Sequence, residues 1–329
     1  MKDNGLLVQY FNANTPADQT LWAKAAKDAA TLKKLGATAV WFPPATKGAA
    51  GKDDRGYAPY DLYDLGEFNQ KGSVGTRYGT KKEYLEAIDA MKAQGINVYA
   101  DIAVRQKLGA DSVEKVTAAD FNAKDIPQMI GNKKIVGALS KFTFPGRKSK
   151  YSKFKWNWNH FAGIDWQQDD FKRRVCELSG MTEMEAEKKY KLSKYDYIIG
   201  SELDLYNQEV YDELMAWAKW YENVTGVDGF RFQEAEKIPG WFIRDFAEAA
   251  SNAGEEEKEI FTVGDFWHWR CDYINDYIAS ADNQPSMFDV PLHFSFHDAS
   301  VAEGEYDLSR LLDGSMMMSN PAKAVTFVE

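Results

Sequence analysis

Apolar positions along the chain fall into two alternating spacings. Short, nearly continuous apolar runs lie at 6–11, 38–42, 96–101, 227–232, 260–265, 286–290 and 324–328. Between them, 19–35, 80–94, 208–223 and 240–252 carry apolar residues in helix-like spacing, the first placing Leu21, Trp22, Ala25, Ala29 and Leu32. The runs predict buried strands and the stepped segments predict helices, with Gly36 and Gly95 as stops and Pro43-Pro44 cutting the second strand. Strand–helix alternation of this kind is the pattern of a parallel α/β sheet covered by helices. It is broken once. Residues 105–205 are polar, Lys-rich and aromatic without clear periodicity, too long for a loop, and read as an inserted subdomain. The chain therefore divides into 1–104, the insertion 105–205, and 206–329, which runs to the seventh strand.

Composition narrows what such a protein meets. The apolar fraction of 44% is enough for a large core, and ten Trp with 17 Tyr suit a cleft that stacks flat ligands. A net charge of −10 without a basic patch argues against nucleic acid. Two cysteines, Cys176 and Cys271, give neither a disulfide framework nor a CxxC spacing. No signal-type segment and no long apolar window is seen, so the expectation is a cytoplasmic protein that meets no membrane. A secreted chain trimmed of its signal would read the same.

The strand at 227–232 runs into Gln233-Glu234-Ala235-Glu236-Lys237. In a barrel enzyme, such a strand end is where catalytic side chains sit. Around it lie several specific runs. They are Gly56-Tyr57-Ala58-Pro59-Tyr60-Asp61-Leu62-Tyr63-Asp64-Leu65-Gly66-Glu67-Phe68, Tyr78-Gly79-Thr80-Lys81, Phe154-Lys155-Trp156-Asn157-Trp158-Asn159-His160-Phe161, and Phe288-Asp289-Val290-Pro291-Leu292-His293. Together with Ala324-Val325-Thr326-Phe327-Val328 they resemble the α-amylases of glycoside hydrolase family 13, the liquefying bacterial and cytoplasmic type, over essentially the whole chain. The resemblance implies a (β/α)8 barrel with a calcium-bearing insertion after the third strand and a small C-terminal β-domain. Seven strands are counted here. The expected fold is thus an incomplete barrel with a β-rich insertion, cut before its eighth strand and without the β-domain. Open edges would then favour marginal stability or self-association.

The same resemblance implies a retaining glycosidase, which needs a carboxylate nucleophile and a carboxylic acid about 5–5.5 Å apart. The family's nucleophile motif is similar to Gly-Phe-Arg-Leu-Asp-Ala-Val-Lys-His. Gly229, Phe230 and Arg231 match it, but its Asp falls on Gln233, and its Lys and His fall on Glu236 and Lys237. Glu234 is the neighbouring carboxylate; strand alternation directs it away from Arg231. The acid/base run is Val263-Gly264-Asp265-Phe266-Trp267, with Asp265 where the family has Glu and Trp267 beside substrate. Shortening an acid by a methylene displaces it by roughly 1 Å, a shift worth on the order of 100-fold in rate. The third strand keeps Asp101 but carries Arg105 at a calcium-ligand Asn and Gln106 at a substrate-binding His. Tyr57 corresponds to a residue that lines the cleft.

Asp165 and Glu202 fall on family calcium positions, with Asp204 and Tyr206 completing a degraded Asp triplet, and Lys188-Lys189-Tyr190-Lys191 lies where further acidic ligands are expected. A cation at Arg105 repels a hard divalent ion. The calcium site is expected to be dismantled and no cofactor is expected. The family's third carboxylate comes three residues after Phe327-Val328-Glu329. Trp156 and Trp158 read as core or sugar platform. His293 and His297, four residues apart, read as a packing or loop pair rather than metal ligands, and Met316-Met317-Met318 as apolar filling.

Three functions remain. The first is an amylase-like protein that has lost hydrolysis and keeps α-1,4-glucan or maltooligosaccharide binding. The second is a working α-1,4-glucan hydrolase with rearranged carboxylates Glu234, Glu236 and Asp265. The third is a truncated or redesigned barrel without ligand.

Overall fold

The computed structural model describes residues 5–121, 129–169, 172–178, 199–254 and 256–328. In chain order, β1 (Leu7–Gln9) leads through α1 (Leu21–Lys34) to β2 (Ala39–Phe42). The long loop that follows contains a small antiparallel pair the apolar pattern did not signal, β3 (Lys47–Gly48) with β4 (Pro59–Asp61). α2 (Lys81–Ala93) precedes β5 (Asn97–Ile102). It starts at Thr80, whose backbone N–H donates to Glu83 Oε2 at 2.8 Å while Thr80 Oγ1 accepts from the Glu83 N–H, a reciprocal cap that satisfies two otherwise unpaired donors.

The insertion is β-rich, as expected, and forms a six-stranded sheet. It holds β6 (Gln106–Lys107), β7 (Ser112–Phe121), β8 (Met129–Lys141), β9 (Phe161–Gln167), β10 (Lys172–Glu177) and β11 (Ser201–Leu203), ordered β6-β11-β9-β10-β7-β8. Val116, Ala118, Val136, Ala138, Ile164 and Cys176 form a small core of its own. The Lys188–Lys191 stretch lies outside the described residues, as do Glu255 and Glu329.

The alternation then resumes: α3 (Gln208–Thr225), β12 (Gly229–Phe232), α4 (Gly240–Ser251), β13 (Phe261–Gly264), α5 (Cys271–Ser280), β14 (Ser286–Phe288), α6 (Val290–Val301) and β15 (Ala324–Val325). α3 ends on Gly226 at φ +63°, a left-handed residue that a Cβ would strain. Helices α5 and α6 fall where no periodicity was read, and α6 carries Pro291 in its first turn. Among the described residues, seven parallel strands are ordered β1-β2-β5-β12-β13-β14-β15, an incomplete (β/α) barrel with a β-rich insertion after the third of them. Strand side chains alternate between its faces. Phe42, Ala100, Ile102, Phe230 and Phe232 join the main core with Trp22, Ala25 and Leu32 of α1. Trp41, Asp101, Arg231 and Val263 fall on the other face. Among the described residues no helix is long and apolar enough to cross a membrane.

Candidate active site

Register brings the first pair together. Arg231 on β12 is the Cα partner of Asp101 on β5 and of Val263 on β13, so Asp265, two residues on, shares their face at the strand ends. Arg231 Nη1 lies 3.0 and 3.1 Å from the two Asp101 oxygens, and Nη2 lies 2.6 Å from Asp265 Oδ2. All three residues are at most 7% exposed. Asp101 Oδ2 also accepts from the Tyr57 hydroxyl at 2.7 Å and from Trp41 Nε1 at 3.1 Å. The Arg231 guanidinium lies 4.6 Å from the Trp41 ring centre. Trp41 went unnoticed in the sequence, although its place at the end of the second strand was the available signal. Burial pushes the Asp101 carboxyl up while Arg231 opposes it. Burial also works against the Arg231 charge, but Asp101 and Asp265 more than offset it and hold its pKa above the ordinary value.

Asp265 is held by three donors. Its Oδ1 accepts from the Glu234 backbone N–H at 2.6 Å, and its Oδ2 from Arg231 and from Trp267 Nε1 at 3.2 Å. Alternation does not govern Glu234, because β12 ends at Phe232. Residue 234 sits in the following turn at φ +50°, where its N–H faces Asp265. Its carboxylate goes to Arg105 Nη2, 3.0 Å away, and to Lys237 Nζ. Gln233, at the nucleophile position, is half-buried and makes no side-chain hydrogen bond among the described residues. Glu236 Oε2 is buried without a hydrogen-bond partner among the described residues, and burial, then the nearby Asp265 charge, pushes the carboxyl up to about 7.

The other candidates scatter. Gln106 is buried and donates from Nε2 to the Tyr57 carbonyl at 3.1 Å, so its amide faces the protein backbone. Trp156 is in the core, whereas Trp158 is exposed. His293 and His297 lie on α6 rather than on a loop; His293 stacks on Phe327 with ring centres 4.7 Å apart, and His297 sits beside Asp298. Met316 is buried while Met317 and Met318 are exposed.

For calcium, the residues at the family positions fit poorly. Arg105 Nη1 lies 3.2 Å from Glu202 Oε1, so a guanidinium stands against the carboxylate that a divalent ion would use. Asp165, half-buried on β9, donates its backbone N–H to Gly200. Asp204 donates its backbone N–H to the His160 carbonyl, and the Tyr206 ring packs on Trp241. Among the described residues, no group of three or more His, Cys, Asp or Glu gathers in a metal-binding arrangement.

No protein-family model matches the chain. Its sequence is 43% identical over 328 residues to an α-amylase of Geobacillus stearothermophilus, covering 99% of this chain and 59% of that protein. It is 39% identical to a glucan 1,4-α-maltohexaosidase of Bacillus sp. (strain 707), covering 99% and 63%. It is 35% identical to the cytoplasmic α-amylase of Escherichia coli (strain K12), covering 99% and 66%. The chain thus spans 59–66% of the length of these relatives. Among solved structures, an α-amylase from Geobacillus thermoleovorans complexed with acarbose aligns with a TM-score of 0.53 at 16% identity. That alignment covers 88% of this chain and 52% of that one, and bears on the fold alone.

Proposed function

The chain belongs to the α-amylase family, and from that premise we propose that it binds α-1,4-glucan segments without hydrolysing them. The observation that carries this reading is the pairing of Gln233 with an immobilised Asp265. A retaining glycosidase forms a covalent intermediate on a carboxylate while a second carboxyl group protonates the leaving oxygen. Gln233 offers a neutral amide in the first role. Asp265 already accepts from Arg231, Trp267 and the Glu234 backbone, and it stands a methylene short in the second. Glucan recognition is supported by Tyr57 and Trp267 beside the Asp101–Arg231–Asp265 cluster and by a relative named for maltohexaose release. A cytoplasmic location is proposed from the Escherichia coli relative, whose name carries that word.

The deciding experiment pairs calorimetric titration of acarbose and maltoheptaose with a hydrolysis assay on a chromogenic maltooligosaccharide. Saturable binding without turnover is expected. Turnover that disappears in Asp265→Asn would overturn the loss of activity, and a folded sample that binds neither sugar would leave a barrel without ligand.

One observation favours the hydrolase reading. Two carboxyl groups whose surroundings differ this much, Asp265 tied to Arg231 and Glu236 with an Oε2 that has no hydrogen-bond partner among the described residues and a pKa pushed up to about 7, are what a base and an acid require. If Glu236 serves as the acid, any turnover is abolished in Glu236→Gln.

A further inference from the structure

The inserted sheet and the barrel sheet meet along a row of alternating charges. Glu202 projects from β11 of the insertion, Arg105 from the connection between β5 and β6, and Glu234 and Lys237 from the turn after β12. Arg105 Nη1 is 3.2 Å from Glu202 Oε1 and its Nη2 is 3.0 Å from Glu234 Oε2, while Lys237 Nζ closes on Glu234 Oε1. Arg105 is 5% exposed and Glu202 8%. Backbone bonds pin the row at both ends. The Leu203 N–H donates to the Arg105 carbonyl at 2.7 Å, and the Glu234 N–H donates to Asp265.

We infer that Arg105 is a built-in cation that ties the inserted sheet to the barrel in place of a divalent ion, making the closure of the two sheets independent of calcium. A guanidinium suits this role because its planar fork directs separate N–H groups at two carboxylates, one from each sheet. A hard divalent ion needs several oxygen ligands of its own, and here the Glu202 and Glu234 carboxylates are engaged by a fixed positive charge that repels it. Glu234 gains a second function in this arrangement. Its left-handed backbone turns one N–H to Asp265 while its carboxylate faces Arg105, so the clamp and the Asp265 cluster share one residue. Loss of Arg105 alone leaves the buried Glu202 carboxylate uncompensated, whereas loss of both partners does not.

Thermal unfolding of the unaltered chain in excess EDTA and in millimolar calcium chloride tests the inference directly. Superimposable midpoints and no saturable heat of calcium binding are expected; a calcium-induced rise in midpoint that EDTA reverses would overturn it. Arg105→Met is expected to lower the midpoint by several degrees and to expose the insertion to protease before the barrel. Arg105→Met combined with Glu202→Met is expected to recover part of that fall. A double variant that loses as much as the sum of the two single variants would count against the clamp. Should either variant fail to fold, the calcium titration of the unaltered chain decides alone.

Discussion

At the scale of single residues, Asp101 has its two oxygens shared among Arg231, Tyr57 and Trp41 inside the barrel. Asp101→Asn removes one of the two carboxylate charges that balance the buried Arg231 guanidinium and leaves Asp265 to offset it alone. The expected loss is about 3–5 kcal/mol, read as a lower midpoint in urea denaturation. Glu236 gives a pH dependence of definite sign. Its folded-state pKa of about 7 lies above the ordinary 4.5 because burial favours the protonated form. Below the ordinary value both folded and unfolded chains hold the proton, and the full contribution is present. As pH rises from there through 7, the folded chain holds more protons and stability falls, by at most about 3 kcal/mol. Glu236→Gln is expected to raise the melting midpoint at pH 8 and to leave it unchanged at pH 4.5. The strands that carry Asp101 and Arg231 were legible in the sequence as short apolar runs, whereas the parallel register that joins the two residues belongs to the structure. The fate of Glu234 was not legible either. Its conformation depends on Asp265 and Arg105, which are 31 and 129 residues away.

At the scale of elements, β6 carries an unpaired lysine into the seam between the insertion and the barrel. Lys107 Nζ is buried without a hydrogen-bond partner among the described residues, 5.3, 5.7 and 5.2 Å from the ring centres of Phe142, Phe144 and Trp156. Burial pushes its pKa down from 10.5 to about 7. Below 7 the folded chain bears the full penalty of a buried ammonium. Between 7 and 10.5 the unfolded chain binds a proton that the folded chain does not, so stability rises with pH. Lys107→Met, close in volume and uncharged, is expected to stabilise by about 1–3 kcal/mol at pH 7, with the gain fading toward pH 10.5 in denaturation curves. The barrel strands and helices α1 to α4 announce themselves through local apolar spacing, because each buries a continuous run or one face. β7 and β8 do not, since their ladder is held by pairing with each other over a core of small and β-branched residues.

At the scale of the whole molecule, the Asp101–Arg231–Asp265 cluster on β5, β12 and the end of β13 lies close to the charged row that joins the barrel to the insertion, and the proposed glucan site is built on that cluster. A ligand that binds only the folded chain stabilises it by mass action, about 2.7 kcal/mol at a hundred times its Kd. Acarbose at that excess is therefore expected to raise the melting midpoint by several degrees in a thermal shift assay, and Tyr57→Ala to reduce that shift. Taken alone, the sequence determined the alternating barrel scaffold, the family, and the absence of a carboxylate at Gln233, because apolar spacing and residue identity are local properties of the chain. The tertiary structure decided what the remaining charges do. Whether Asp265 stands free or tethered, whether Gln106 faces backbone or cleft, and whether Arg105 meets carboxylates or solvent depend on partners far away in the chain, which only the folded packing brings within hydrogen-bonding distance.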